Sequence, residues 1–166
     1  MLRHAKSSWA EASLADHERT LSTRGKRDAP KMGKRLAARE VSPSLIISSS
    51  AVRARRTAKI IAAALKYPAE SLQIERDLYL ATAEKILELV RSQEDNVSDL
   101  LVVGHNPGLT ELVNRLLPEL DLDNLATSGV VAMDFDTTKW SEIDEMYAEF
   151  VFYDYPKNRE SLAKGN

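Results

Sequence analysis

Leu45-Ile46-Ile47-Ser48-Ser49-Ser50-Ala51-Val52-Arg53-Ala54-Arg55-Arg56-Thr57 is the stretch on which the fold turns. Its three consecutive apolar residues, bounded by serines, read as a short buried strand. Beyond the serines, Ile60, Ile61, Ala64 and Leu65 recur at helical spacing among good helix formers, which predicts a helix over 52–66. A buried strand that feeds a helix through a polar turn is half of a strand–helix–strand unit. The same pattern returns downstream. Leu100-Leu101-Val102-Val103 reads as a second buried strand ended by Gly104, and a short helix over 108–117 is stopped by Pro118.

The flanking segments extend this alternation. Residues 72–74 are a candidate short strand. Thr82 is a candidate N-cap for a helix through Arg91, whose apolar face is Ile86, Leu87, Leu89 and Val90. An earlier helix is predicted over 22–39 with Met32 and Leu36 facing inward, and Pro30 inside it predicts a kink or a later start. Residues 130–135 and 150–153 are rich in β-formers and are expected to pair at one edge. The expected architecture is α/β: a single-domain three-layer sandwich, with a mostly parallel central sheet flanked by helices. Such sheets bind ligands at the carboxyl ends of their strands. The chain of 166 residues suits one domain. The domain is expected over 1–156, followed by a polar, frayed tail over 157–166.

Composition narrows the chemistry. With no cysteine, disulfides, thiolate nucleophiles and cysteine–zinc sites are excluded. No apolar run approaches the length of a membrane span, and the opening residues lack the apolar core of a secretory signal. Cytoplasm is therefore the expected compartment, with no membrane partner. Charge is unevenly spread: residues 1–60 hold 14 Lys/Arg against 5 Asp/Glu, and residues 61–166 hold 9 against 20. A basic N-terminal part suits an anionic partner.

Three segments place a cationic or imidazole group just after a predicted strand or at the chain's start. They are Arg3-His4-Ala5-Lys6-Ser7-Ser8-Trp9, the serine turn leading to Arg53, and Gly104-His105-Asn106-Pro107-Gly108. Physically this is a kit for a phosphoryl group. Guanidinium forks match phosphate oxygens, and a helix N-terminus offers free backbone donors. A neutral imidazole can attack phosphorus, and nearby arginines disfavour its protonation. A second imidazole can hold the oxygens as charge redistributes.

With these residues quoted, the chain resembles the histidine phosphatase, or phosphoglycerate mutase-like, superfamily, and within it the SixA-type phosphohistidine phosphatases. Arg3-His4 matches the family's opening pair, and Lys6-Ser7-Ser8-Trp9 is typical of the subgroup. Arg19 to Gly25 matches an R-x-L-x-x-x-G stretch, Arg53 to Thr57 an R-A-x-x-T helix start, and Gly104 to Gly108 a G-H-N-P-G turn. The resemblance implies that His4 is the transiently phosphorylated nucleophile. It implies that Arg3 and Arg53 clamp the phosphoryl oxygens, that His105 completes the pocket and that Asn106 supports phosphate binding. No metal and no cofactor are implied. Arg55 and Arg56 read as surface or substrate-entrance charge, and His17 as exposed.

The chain departs from the family in three places. Ala5 stands where the wider superfamily carries glycine. The stretch that often carries a glutamate general acid offers only Asp77, outside a matching motif. The family's apolar first strand is represented by Met1 and Leu2 alone, so the first strand is expected to be truncated. A missing acid suits an imidazole leaving group, whose pKa of about 6.5 lets water protonate it. The expected substrate is therefore phosphohistidine in a protein, a histidine phosphotransfer domain being one form, with phosphate as product. A small phosphomonoester is the alternative, and a non-catalytic phosphate- or nucleic-acid-binding domain a distant one. Nucleic acid is disfavoured because aromatics are 6% of the chain and do not interleave with the basic residues.

Overall fold

A computed structural model describes residues 1–144 and 148–159. It contains a six-stranded sheet in the order β3-β2-β4-β1-β5-β6. The strands are β1 (Leu2–Arg3), β2 (Leu45–Ser49), β3 (Gln73–Glu75), β4 (Leu100–Gly104), β5 (Val130–Phe135) and β6 (Ala148–Asp154). The helices are α1 (Thr23–Ala38), α2 (Val52–Ala64), α3 (Ala83–Arg91) and α4 (Gly108–Leu116). Strands β1 to β4 run parallel, and β5 and β6 are antiparallel at one side. The expected α/β sandwich with a mostly parallel sheet is what forms.

The parallel strands read as continuous apolar runs because both sheet faces are covered. All five residues of β2 are buried. One face packs Leu2, Ile46, Leu101 and Val103 against Met32 and Leu36 of α1 and Ile61 of α2. The other packs Ile47, Val102 and Val131 against Ile86 of α3 and Leu109 and Leu112 of α4. Thr82 caps α3, its hydroxyl accepting from the Lys85 amide at 3.3 Å. Among the described residues no helix is long and apolar enough to cross a membrane.

A helix start beyond Pro30 is overturned. α1 begins at Thr23, where the Ser22 hydroxyl accepts from the Gly25 amide at 3.1 Å, and it runs through Pro30 as one element. The N-cap and the packing of Ala29, Met32, Gly33 and Leu36 outweigh the one lost backbone donor. The third strand lies one residue later than expected and is largely exposed at the sheet's edge.

β1 is two residues long, yet it sits between five-residue β4 and six-residue β5. Beyond Met1 those neighbours continue, and a cleft of about 660 Å³ opens there, lined by Met1, Leu101, Val131, Met133, Trp140 and Phe152 among others. The cleft touches neither His4 nor His105 nor Arg53.

A buried ion pair ties the last strand to α1. Arg35 donates to Asp154 Oδ1 at 2.9 Å, and to the carbonyls of Tyr155 and Asn158 at 2.9 Å each. The Tyr155 amide also donates to Asp154 Oδ1. Asn158, placed in the expected tail, is thus held by α1, while residues 160–166 lie outside the described residues. Removing one partner strands a buried charge. Asp154→Ala should therefore lower unfolding free energy by about 3–5 kcal/mol, measured by urea denaturation.

Candidate active site

His4 follows β1, Ser49 ends β2 and His105 follows β4. Register brings the three together. Leu2 lies opposite Val103 and Arg3 opposite Gly104, so His4 and His105 are next in line on adjacent strands, and the His4 amide donates to the Gly104 carbonyl at 3.1 Å. The two ring centroids stand 5.0 Å apart, close to the spacing of paired strands.

Arg53, in the first turn of α2, reaches between the rings. Its Nε donates to His4 Nε2 at 3.3 Å, and Nη2 faces His105 Nδ1 at 3.5 Å. His4 Nδ1 lies 2.8 Å from the Ala5 carbonyl. A carbonyl only accepts and a guanidinium only donates. His4 therefore carries its hydrogen on Nδ1 and presents the Nε2 lone pair to the pocket. By the same logic His105 Nδ1 accepts from Arg53, and Nε2–H donates to Ser49 Oγ at 2.7 Å.

Both imidazoles are held neutral. Burial, foremost, lowers His4 to about 4; Arg53, Arg3 and Arg19 push the same way, while the Ala5 carbonyl pulls back. Burial also lowers His105 to about 3, aided by His4, Arg53 and Arg3 and opposed by Asp16. Arg3 acts on both rings and is anchored from the far side. Its Nη1 donates to the Leu125 carbonyl at 2.7 Å and to Asn124 Oδ1 at 3.3 Å. Arg3 Nε is buried without a partner among the described residues, a donor left over for an oxyanion.

Asn106 stands differently. Its amide donates to Asn124 Oδ1 and the Leu125 carbonyl at 2.6 and 3.0 Å. These are the acceptors Arg3 uses, so Asn106 braces the loop that holds Arg3. Arg55 and Arg56 are exposed. Asp77 is exposed and pairs with Lys85 at 3.6 Å. His17 is half-buried rather than exposed: its ring nitrogens lie 2.6 Å from Glu18 Oε1 and 2.9 Å from Ser50 Oγ.

Sequence reasoning passed over four participants. Asp16 accepts from Arg53 through both its carbonyl, at 2.6 Å, and its carboxylate, at 2.9 Å. The same carboxylate takes Tyr79 Oη at 2.7 Å and Arg19 Nη1 at 2.9 Å. These bonds, that from Tyr79 foremost, hold the Asp16 carboxyl well below the usual range. Ser49 braces His105, and Thr57 Oγ1 accepts from the Ala5 amide at 2.9 Å while donating to the Arg53 carbonyl. Thr57 lay inside a quoted motif and was legible. Tyr79 lies 63 residues from Asp16, with no spacing to betray it. Gly25 of the quoted stretch has a plain reason: a Cβ there would run into the Lys6 carbonyl, so glycine lets α1 press against the loop that follows His4.

The described residues therefore hold two neutral imidazoles whose unprotonated nitrogens, His4 Nε2 and His105 Nδ1, both face one guanidinium. The sequence description of the histidine phosphatase superfamily (branch 1) matches residues 1–81, the half that contributes His4, Asp16 and Arg53. The chain belongs to that superfamily. It is a phosphatase, a hydrolase acting on phosphoryl groups. An uncharacterized Mycobacterium tuberculosis protein is 30% identical over 165 residues, covering 94% of this chain and 100% of the relative. An uncharacterized chloroplastic protein of Arabidopsis thaliana is 33% identical over 124 residues, 70% of this chain, and the match spans 57% of that relative's length. Among solved structures, an Agrobacterium tumefaciens protein named by inference as the phosphohistidine phosphatase SixA superposes with a TM-score of 0.80. It is 27% identical, and the match covers 93% of this chain and 95% of that one. The histidine phosphatase carries its SixA-type likeness over nearly the whole chain.

Two predictions follow from this geometry. His4 and His105 have folded pKa values of about 4 and about 3, below the roughly 6.5 of an unfolded histidine. The unfolded chain therefore binds protons first as pH falls. The stability these neutral rings contribute is intact above about pH 6.5 and is lost as pH drops toward 4. Ring resonances of both should stay unshifted from neutrality to about pH 5.5 in an NMR titration; a midpoint near the free value would contradict the burial argument. Ser49→Ala removes the His105 brace and should slow turnover roughly 5- to 10-fold, the scale of one neutral hydrogen bond, with the fold retained by circular dichroism.

Proposed function

We propose that this phosphatase hydrolyses a phosphoramidate, phosphohistidine carried on a protein, by way of a covalent phosphoryl group on His4. The observation that carries this reading is the state of His4: Nδ1 tied to the Ala5 carbonyl, and Nε2 unprotonated and facing Arg53 at 3.3 Å.

In the first step the His4 Nε2 lone pair attacks phosphorus. The bond from phosphorus to the substrate nitrogen breaks, and that nitrogen keeps the electron pair and takes a proton from water. Arg53 Nε–H transfers its hydrogen bond from His4 to a phosphoryl oxygen, and the orphan Arg3 Nε takes another. As Arg53 turns to the oxygens it frees His105 Nδ1, which takes the proton of the arriving phosphoryl monoanion and hydrogen-bonds the oxygen that gave it, while Nε2–H stays on Ser49; the proton returns to phosphate on release. In the second step water attacks phosphorus from the side opposite His4. The His4–phosphorus bond breaks, inorganic phosphate leaves and Nε2 regains its lone pair. These contacts act where charge moves in a loose phosphoryl-transfer transition state.

Among the described residues one carboxylate meets the pocket. Asp16 is the carboxylate in contact with Arg53, and its three donors keep it ionised, so it is a poor proton source. An imidazole needs little help to leave, whereas an alkoxide needs an acid. This favours a phosphoramidate over a phosphate ester. A cytoplasmic setting and a phosphorylated protein partner belong to the same reading.

Phosphate release from a phosphohistidine peptide should fall to background in His4→Ala, with the unfolding midpoint little changed. Brief mixing of the wild type with substrate labelled at phosphorus should leave acid-labile label on the wild type and none on the variant. Equal rates for the two proteins, or faster release from an alkyl phosphate than from the peptide, would overturn the assignment.

A further inference from the structure

Trp9 is 73% exposed and Leu80 54% exposed, and neither is used by the pocket. Trp9 is nevertheless held in place. The guanidinium carbon of Arg19 sits 3.2 Å from the centroid of the Trp9 ring. Arg19 itself is buried, donating to Ser7 Oγ, the Ser8 carbonyl and Asp16 Oδ1. Leu80 has a left-handed backbone, φ 51°, a strained conformation for a leucine. It directly follows Tyr79, whose hydroxyl is bonded to Asp16. Asp16 therefore links the Arg19 that holds Trp9 to the Tyr79 that precedes Leu80, and the same carboxylate grips Arg53 at the pocket.

His4, Arg53 and His105 are recessed, at 8%, 3% and 2% exposure. Whatever carries the phosphoryl group into them lies against this rim. A small polar carrier has no use for exposed apolar groups beside the pocket, whereas an aromatic anchor held at low conformational cost is what a protein surface meets. Charge agrees. Arg56, three residues on from Arg53 and so on the same side of α2, and Lys6, next to the Ala5 carbonyl that orients His4, are exposed and have no carboxylate within 4 Å among the described residues. We propose that Trp9, Leu80 and Arg56 form a docking rim for a folded, acidic-surfaced protein that presents its phosphorylated side chain to His4. This rests on the phosphatase reading above and adds the surface that selects a protein carrier.

The test uses two probes: a histidine phosphotransfer domain phosphorylated with phosphoramidate, and free phosphohistidine. Trp9→Ser, Leu80→Asn and the charge reversal Arg56→Glu are compared with the wild type. Asparagine tolerates the left-handed backbone, so Leu80→Asn keeps the chain path, and it does not touch Arg19. Each variant should lower kcat/KM on the domain about tenfold or more, with free phosphohistidine changed by less than about twofold. Raising salt from about 50 to about 300 mM should weaken the wild type on the domain and not on the amino acid. Unchanged rates on the domain, parallel losses on both probes, or a wild type that uses free phosphohistidine and ignores the domain would each overturn the docking rim. In the last case the phosphatase reading survives. A wild type inactive on both probes overturns both.

Discussion

Parallel register is the constraint on which the molecule depends. β1, β2 and β4 lie side by side, with Leu2 opposite Val103 and Ser48 opposite Val103 from the other flank. The strands therefore end level. Level ends put His4, Ser49 and His105 in one row at the carboxyl edge, with no side chain needing to reach. Helix α2 starts directly after β2, which delivers Arg53 into the same row from its first turn. A one-residue slip of β1 would turn His4 to the opposite face of the sheet. The apolar pattern that buries Leu2 and Val103 thus fixes the catalytic geometry as well as the core.

The site balances two electrostatic demands. A nucleophilic imidazole must be neutral, which burial and neighbouring arginines secure. Those arginines are themselves nearly buried, and a lone guanidinium without a counter-charge is costly. Asp16 resolves this from the rim, half-exposed, where it neutralises Arg53 without entering the row of histidines. Tyr79 and Arg19 fix that carboxylate in turn. The arrangement keeps Asp16 ionised, so the feature that stabilises Arg53 is also what denies the site a carboxylic acid.

Much of this was legible in the chain. The apolar runs at 45–47 and 100–103, the Thr82 cap and the helix through Arg91 appear where local pattern places them, because burial on both faces leaves a strong signature in sequence. His4, Arg53 and His105 could be named because each follows a strand or opens a helix. Pro30 misled, since a single lost donor is a local cost that a capped and packed helix absorbs. Asn106 was grouped with phosphate ligands, whereas its amide is spent on the 124–125 loop. Nothing in sequence reports which way an amide turns.

By itself the sequence determined the alternation of strand and helix, the absence of cysteine and which imidazoles and guanidiniums follow a strand or open a helix. These follow from residue type and short-range spacing. Only the tertiary structure decided which nitrogen of His4 is free, that Ser49 orients His105, and that Asp16, Tyr79, Arg19 and Trp9 form a continuous rim beside Arg53. Those are contacts between residues tens of positions apart. Their existence depends on distance and direction in space, which the order of residues along a chain does not contain until the chain has folded.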